Sequence, residues 1–172
     1  LAAVEDGRAM EWETERLKTP RTMAVSVIHF QGVPGDLDRV VAECRAAGVK
    51  LVEDCAQSAG ATYKGKHVGS FGDIACYSLQ YNKVITSGEG GLVMCNDPVL
   101  YERCVRMHDL GQVRPYHAQV LGGKTQVPAF AGDQFRMNEL SAAMGLAQLR
   151  KLPALKEHCR RLQSIVLEKI RG

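Results

Sequence analysis

The sequence predicts an α/β fold built on a mostly parallel sheet. Residues 22–30 are rich in valine and isoleucine, which is typical of a buried strand. Apolar residues then recur at helical spacing over residues 37–44, after an aspartate that can cap a helix and before Gly48, which can end it. A second apolar strand follows at residues 50–54. Strand, helix and strand in this order predict a βαβ unit, whose strands run parallel.

The middle of the chain predicts turns and two further strands. Residues 58–72 are rich in glycine and contain a short candidate hairpin. Residues 74–79 are predicted to be an alternating apolar strand, and residues 91–95 are another short apolar run. We therefore expect two short strands on either side of a polar, glycine-rich loop.

The C-terminal half is predicted to be mainly helical. Proline at an early position favours a helix over residues 96–110. Residues 113–134 show no periodicity and predict a long loop, a feature that is usually functional or mobile in a compact domain. A helix is expected to begin at Asn138, and Pro153 is expected to interrupt it. A second amphipathic helix is then predicted over residues 155–170.

The composition is that of an ordinary globular protein. The chain has 172 residues and a formal net charge of +3, which is too small to predict binding to nucleic acid or to a membrane surface. No apolar run approaches a bilayer span, and the charged residues 1–21 do not fit a signal peptide. The six cysteines lack metal-ligand spacing, so we expect no metal site and a reducing cytoplasm.

A single lysine stands in the polar loop between the two later strands. Ser78 precedes Lys83, and Thr86 and Ser87 follow it, before a glycine cluster at residues 88–91. A lysine beside a strand end, surrounded by hydroxyls and flexible backbone, suits a Schiff base with an aldehyde cofactor whose phosphate is held nearby. A surface lysine in a hairpin loop is the alternative, and this stretch alone favours it.

An acid ends the second predicted strand. Ligands of open parallel sheets bind beyond the carboxyl ends of the strands, which places Asp54, and Gln57 one turn later, at a candidate site with Cys55 beside it. A carboxylate facing a pyridine nitrogen keeps that nitrogen protonated, as the electron-sink chemistry of pyridoxal phosphate requires. The alternative role for Asp54 is a helix N-cap. His29, at the end of the first strand, is either near the ligand or, more simply, a hydrogen-bonded core residue.

Several motifs in a fixed order carry a resemblance to one enzyme family. The motifs are Glu53-Asp54-Cys55-Ala56-Gln57-Ser58-Ala59-Gly60-Ala61, Gly69-Ser70-Phe71-Gly72-Asp73, Ser78 five residues before Lys83, Thr86-Ser87-Gly88-Glu89-Gly90-Gly91, and Phe135-Arg136-Met137. From about residue 17 to about residue 152, the chain resembles the DegT/DnrJ/EryC1/StrS aminotransferases. The resemblance implies a three-layer α/β sandwich with a mostly parallel sheet, the large-domain portion of a pyridoxal-phosphate transferase of fold type I.

The resemblance also implies a role for each matching residue. Lys83 corresponds to the lysine that carries pyridoxal 5'-phosphate as an internal aldimine, and Asp54 to the acid that pairs with the pyridine nitrogen. Gln57 corresponds to the residue near the ring hydroxyl, and Ser78 to a phosphate ligand. Gln134 stands where the family usually has an asparagine that contacts the phosphate across the dimer. Its side chain is one methylene longer than that of asparagine.

The implied reaction moves an amino group from glutamate or glutamine to a keto-sugar, often nucleotide-linked, or to a cyclitol, in a cytoplasmic homodimer. Some relatives carry histidine at the position of Lys83 and perform dehydration, so the lysine favours transamination. The chain is short for a full member of the family. Residues 1–152 are expected to be the cofactor-binding large-domain portion, and residues 153–172 a helix leading toward an absent small domain. A truncated or non-catalytic partner chain and a sugar dehydratase are the alternatives.

Overall fold

The computed structural model describes Thr19 and residues 21–171. These residues belong to two compact units. The first extends to Tyr77 and resumes over Val93–Arg136, and the second combines Ser78–Leu92 with the chain from Met137 onward. The lead-in predicted for residues 1–18 lies outside the described residues.

Among the described residues, four strands form the main sheet: β1 (Ala24–Ile28), β2 (Lys50–Asp54), β5 (Ile74–Ser78) and β6 (Gly91–Met94), which are neighbours in that order. A separate antiparallel hairpin pairs β3 (Thr62–Tyr63) with β4 (Lys66–His67). The β1–β2 and β2–β5 pairs are both parallel. The predicted α/β class with a mostly parallel sheet is therefore confirmed.

Helix α1 (Leu37–Ala47) crosses from β1 to β2 and has the predicted caps. The Asp36 carboxylate accepts a hydrogen bond from the Arg39 amide at 3.4 Å. At the other end, Gly48 adopts a φ of 63°, and its amide donates back to the Arg45 carbonyl. Glycine suits this left-handed position because, at a positive φ, a Cβ would crowd the adjacent carbonyl oxygen of the backbone.

The core of the first unit lies between α1 and one face of the sheet. Its buried residues come from the helix, the strands and the segment around the hairpin: Val27, Leu37, Val40, Cys44, Leu51, Cys55, Val68 and Ala75. Each buried aliphatic side chain contributes about 1.5–3 kcal/mol through removal of apolar surface from water. The βαβ unit is thus held mainly by burial of the apolar stripe of α1.

Two helices follow β6 in the first unit: α2 (Pro98–His108) and α3 (Pro115–Val120). The prediction of an irregular segment over residues 113–134 is wrong for α3. Pro115 stands at the start of this short helix, where its fixed φ and missing amide proton are favourable. The later part of the segment is held to α2 by the buried Glu102 carboxylate, which accepts from the amides of Gln126 and Val127 at 2.6 and 3.2 Å.

The long helix of the second unit corrects the prediction of two helices separated by proline. Helix α4 is continuous over Glu139–Arg171 and contains Pro153 within it. Proline removes one backbone hydrogen bond, and the many remaining bonds of a 33-residue helix keep it continuous. Across residues 21–171, none of the helices combines the length and apolar character needed to span a bilayer.

Candidate functional site

The carboxyl end of β2 presents two acids to opposite sides of the sheet. Leu51 and Glu53 are buried on the side of α1, and Asp54 is half-buried. Successive side chains of a strand alternate between its faces, so Asp54 lies on the face away from the core. The parallel register sets Asp54 opposite Cys76 of β5. Asp54 is therefore positioned at the edge of the sheet where ligands of such folds bind.

Asp54 and Gln57 are each oriented by one backbone amide. Asp54 Oδ1 accepts from the amide of Ala56 at 3.0 Å, and Gln57 Oε1 accepts from the amide of Gln31 at 2.9 Å. Among the described residues, no donor lies within hydrogen-bond distance of Asp54 Oδ2. Asp54 thus keeps one acceptor oxygen available, and Gln57 keeps its amide nitrogen as a donor.

Glu53 is a fully buried carboxylate that accepts four hydrogen bonds. Oε1 accepts from the amides of Phe71 and Gly72 at 2.7 and 2.6 Å. Oε2 accepts from the amide of Gly69 at 2.6 Å and from His29 Nε2 at 3.1 Å. Burial opposes ionisation of Glu53, but the hydrogen bonds from His29 and the three amides outweigh it and lower the pKa of the carboxyl.

His29 has no exposed surface and lies between β2 and the turn that follows β1. Its Nδ1 accepts from the amide of Gly35 at 3.4 Å, and Glu53 is an acceptor, so His29 Nε2 carries the donated proton. Of the two possibilities open from the sequence, the hydrogen-bonded core residue is confirmed. His29, Glu53 and Cys55 bring their ligand-type atoms within 4.8 Å of one another. The hydrogen bonds to both carboxylate oxygens account for this cluster without a metal.

The glycine-rich motif at residues 69–73 encloses Glu53. A Cβ on Gly72 would lie 2.7 Å from the Leu51 carbonyl oxygen, so only glycine allows the backbone to approach β2 this closely. The adjoining Asp73 accepts from the Leu51 amide at 2.8 Å and from Lys50 Nζ at 2.7 Å. The motif that contains Glu53 and the glycine-rich motif at residues 69–73 are apart in the sequence, and these hydrogen bonds connect them along β2.

Cys55 does not lie where the sequence predicts. Its side chain is buried in the core rather than beside the candidate ligand site, and burial raises the pKa of its thiol to about 11. The thiol on the Asp54 face belongs instead to Cys76, which is exposed. The pKa of Cys76 is raised by partial burial and by the charge of Asp54.

The lysine loop belongs to the second unit and is closed by its own hydrogen bonds. The Leu79 amide donates to the Gly90 carbonyl at 2.8 Å, and the Ser87 amide donates to the Leu79 carbonyl at 2.9 Å. Ser78 Oγ accepts from the Gln80 amide at 3.3 Å. Lys83 is half-buried, and no acceptor among the described residues lies within hydrogen-bond distance of its Nζ. The loop therefore presents a primary amine that is not paired with an acid.

Gln134 lies beside an ion-pair cluster around the buried Asp109. It is exposed and forms a β-bridge with Asp109. The Asp109 carboxylate contacts Arg114 through Nε at 2.7 Å and also contacts Arg136. Hydrogen bonds from Arg114 and then from Arg136, against the opposing effect of burial, lower the pKa of Asp109 to about 2. The bridge to this cluster holds the backbone of Gln134, while its side chain remains accessible.

A parallel sheet with an acid at the carboxyl end of β2 and a lysine in the loop after β5 is typical of the pyridoxal-phosphate transferases of fold type I, and the similar solved structures include aminotransferases. The model of the DegT/DnrJ/EryC1/StrS aminotransferase family matches residues 8–171. The chain belongs to this family, which confirms the resemblance found in the sequence. Pyridoxal phosphate is the cofactor of the family.

Three similar proteins illustrate the range of the family. GDP-perosamine synthase of Escherichia coli O157:H7 is 40% identical over 81% of this chain and 36% of the relative. L-glutamine:2-deoxy-scyllo-inosose aminotransferase of Micromonospora echinospora is 35% identical over 90% of this chain and 37% of the relative. The structure of E. coli GDP-4-keto-6-deoxy-D-mannose-3-dehydratase with bound hydrated PLP has a TM-score of 0.72 and 26% identity, over 92% of this chain and 43% of that one.

The chain spans a little over a third of the length of these curated relatives. Asp54 and Gln57 lie near each other in the first unit, and Ser78 and Lys83 share the loop of the second. The catalytic and binding roles of these residues and of Gln134 remain predictions. The role of Glu53 was missed from the sequence. Two adjacent acids at the end of an apolar strand were the available signal, because alternation directs one of them into the core.

Proposed function

We propose that this chain is the cofactor-binding portion of a pyridoxal-phosphate-dependent aminotransferase. The proposed reaction moves an amino group from glutamate or glutamine to a keto-sugar, often nucleotide-linked, or to a cyclitol. Family membership and the sugar and cyclitol relatives support this class of substrate. The observation that carries the proposal is the half-buried Asp54 carboxylate, with one unoccupied acceptor oxygen at the carboxyl end of a parallel strand.

The donor set of the first unit fits pyridoxal phosphate. An oriented carboxylate at Asp54 can hold a pyridine nitrogen in its protonated form, and the amide nitrogen of Gln57 can donate to the ring hydroxyl oxygen. When bound, the protonated ring supplies an electron sink for a substrate carbanion. Asp54 contributes by keeping that nitrogen charged.

Lys83 supplies the reactive amine in this proposal. Because no carboxylate among the described residues pairs with it, its Nζ is available to hold the cofactor covalently and then to carry the proton at the substrate carbon. Ser78 is assigned to the phosphate, to which a hydroxyl can donate a charge-assisted hydrogen bond. Gln134 is assigned to the same phosphate across a homodimer, and its accessible side chain is compatible with such a contact.

Dehydration is the second candidate reaction, because one similar structure is that of a sugar dehydratase. The lysine at position 83 favours transamination over that alternative. A non-catalytic partner chain is the third possibility, since the chain covers little more than a third of its relatives. The proposal also includes a cytoplasmic location. It further includes a division at residue 152, between the cofactor-binding portion and a helix that leads to a small domain.

The test is the visible absorption of the 172-residue protein titrated with pyridoxal phosphate. We expect a new band in the wild type, its loss in Lys83→Ala, and no loss in Lys124→Ala, which removes an exposed lysine elsewhere. A band that persists in Lys83→Ala refutes the assigned lysine. Transfer of the amino nitrogen of glutamate or glutamine into a keto-sugar acceptor then separates transamination from dehydration, since a dehydration product carries no new amino group.

A further inference from the structure

We propose that Gln31, His29 and Glu53 are positioning residues that fix the side-chain amide of Gln57. In this arrangement Gln57 Nε2 is left as a hydrogen-bond donor for the oxygen on the ring of bound pyridoxal phosphate. The inference rests on the proposed function for the identity of the ligand. The arrangement of the protein groups is a property of the cofactor-free chain and can be measured separately.

The first step is the contact between Gln31 and Gln57. The Gln31 amide donates to Gln57 Oε1 at 2.9 Å across 26 residues of sequence. Reversing the Gln57 amide would place two N–H donors face to face, so this bond selects one orientation. Among the described residues, no acceptor pairs with Gln57 Nε2. Its two N–H groups therefore remain available to an external acceptor.

The second step is the backbone conformation that presents the Gln31 amide. Gln31 has a φ of 52° and Gly32 a φ of 80°, both in the left-handed region. This conformation is unfavourable for glutamine and persists only where surrounding contacts hold it. A Cβ on Gly32 would lie 3.5 Å from the Gln57 carbonyl oxygen, so the turn lies directly against the residue that it orients.

The third step is the anchor of that turn. The His29 amide donates to the Asp54 carbonyl at 3.1 Å, which extends the β1–β2 pairing to the start of the turn. The His29 ring links Glu53 Oε2 at 3.1 Å to the Gly35 amide at 3.4 Å, so both ends of the turn are held by one buried side chain. Glu53 in turn is held by three amides of the glycine-rich motif. The strain at Gln31 is thus supported by buried contacts.

The chemical consequence concerns the charge on the ring oxygen. A donor directed at this oxygen stabilises its anionic form, so the pH midpoint of the visible absorption of bound cofactor should be lower with Gln57 than without it. A hydrogen bond to a charged oxygen shifts such a midpoint by about one pH unit. A purely structural role for Gln57 would leave this midpoint unchanged.

The experiment first measures hydrogen exchange at the Gln31 amide in the cofactor-free 172-residue protein. Gln57→Leu should accelerate exchange by about fivefold through loss of the acceptor, whereas Gln57→Glu keeps an acceptor oxygen and should preserve protection. The glutamine of His29→Gln can still donate to Glu53, so this variant should preserve protection of the Gln31 amide. The leucine of His29→Leu cannot donate, so that variant should lose protection. Gln57 is exposed, so its variants should fold whatever happens to His29→Leu. Unchanged exchange in Gln57→Leu overturns the inference.

The second measurement is the pH titration of the visible absorption with pyridoxal phosphate bound. Gln57→Leu and Gln57→Glu should both raise the midpoint by about one unit, because neither side chain donates to the ring oxygen. Gln119→Leu, an exposed substitution in α3, should match the wild type. A midpoint unchanged in both Gln57 variants overturns the role of Gln57. If the wild type shows no cofactor band, the proposed function and the ligand assigned to Gln57 are both wrong. Hydrogen exchange still decides whether the Gln31 backbone amide holds the side-chain amide of Gln57.

Discussion

Replacing the buried carboxylate of Glu53 with an amide should strongly destabilise the first unit. In Glu53→Gln, one amide oxygen can still accept from Phe71 and Gly72, which lie 2.7 and 2.6 Å from Oε1. The new amide nitrogen then faces two donors, the Gly69 amide and His29 Nε2. A buried donor left without an acceptor costs about 1–3 kcal/mol, so two of them predict a loss of about 3–4 kcal/mol in the free energy of unfolding.

A change of tautomer at His29 would not restore the balance. If Nε2 became the acceptor, the proton on Nδ1 would point at the Gly35 amide, and the conflict between donors would move to the other side of the ring. The assay is urea unfolding followed by circular dichroism, with the slope checked for constancy. The exposed substitution Glu157→Gln is the control, and it should change stability by less than about 0.5 kcal/mol.

The pH dependence provides an independent check of the same reasoning. The folded-state pKa of Glu53 lies below its ordinary value of 4.5. Its stabilising contribution is therefore complete above pH 4.5 and decreases as the pH falls through the lower folded-state value. The difference in stability between wild type and Glu53→Gln should narrow over that acidic range. A loss below about 1 kcal/mol at neutral pH, or a difference independent of pH, would refute the role assigned to the carboxylate.

Two further predictions concern other parts of the structure. Asp109→Asn should lower the urea midpoint at neutral pH. The difference in urea midpoint from wild type should disappear as the pH falls from 3.8 toward about 2, because pairing with arginine holds the folded-state pKa of Asp109 at that lower value. A difference that persists at the lowest pH would contradict this cause. Gly72→Ala should destabilise the protein more than Gly48→Ala. A Cβ at residue 72 would meet the Leu51 carbonyl oxygen at 2.7 Å, whereas a Cβ at residue 48 would have nothing within 4 Å. Gly48→Ala should therefore cost only the backbone penalty of the left-handed conformation, about 1 kcal/mol. Equal midpoints for the two alanine variants would count against the tight approach of the glycine-rich motif to β2.

The sequence by itself determined the features that follow from local pattern. Apolar runs and capping residues predicted β1, α1 and β2, because strand alternation, helical spacing and the left-handed preference of glycine act over a few neighbouring residues. The order of the motifs around Asp54 and Lys83 likewise indicated the family, which the family model confirms over residues 8–171.

Tertiary structure decided the features that depend on partners far apart in the chain. Glu53 meets His29 across 24 residues and Gly69 across 16, and no local pattern could show that this acid, rather than its neighbour Asp54, would be buried among donors. Cys55 likewise entered the core, and α4 continued through Pro153, because hydrogen bonding and burial summed over a whole element outweighed the preference of a single residue. Local preference is worth about 1 kcal/mol or less per ordinary residue, whereas burial and pairing of a charged group involve several times that free energy.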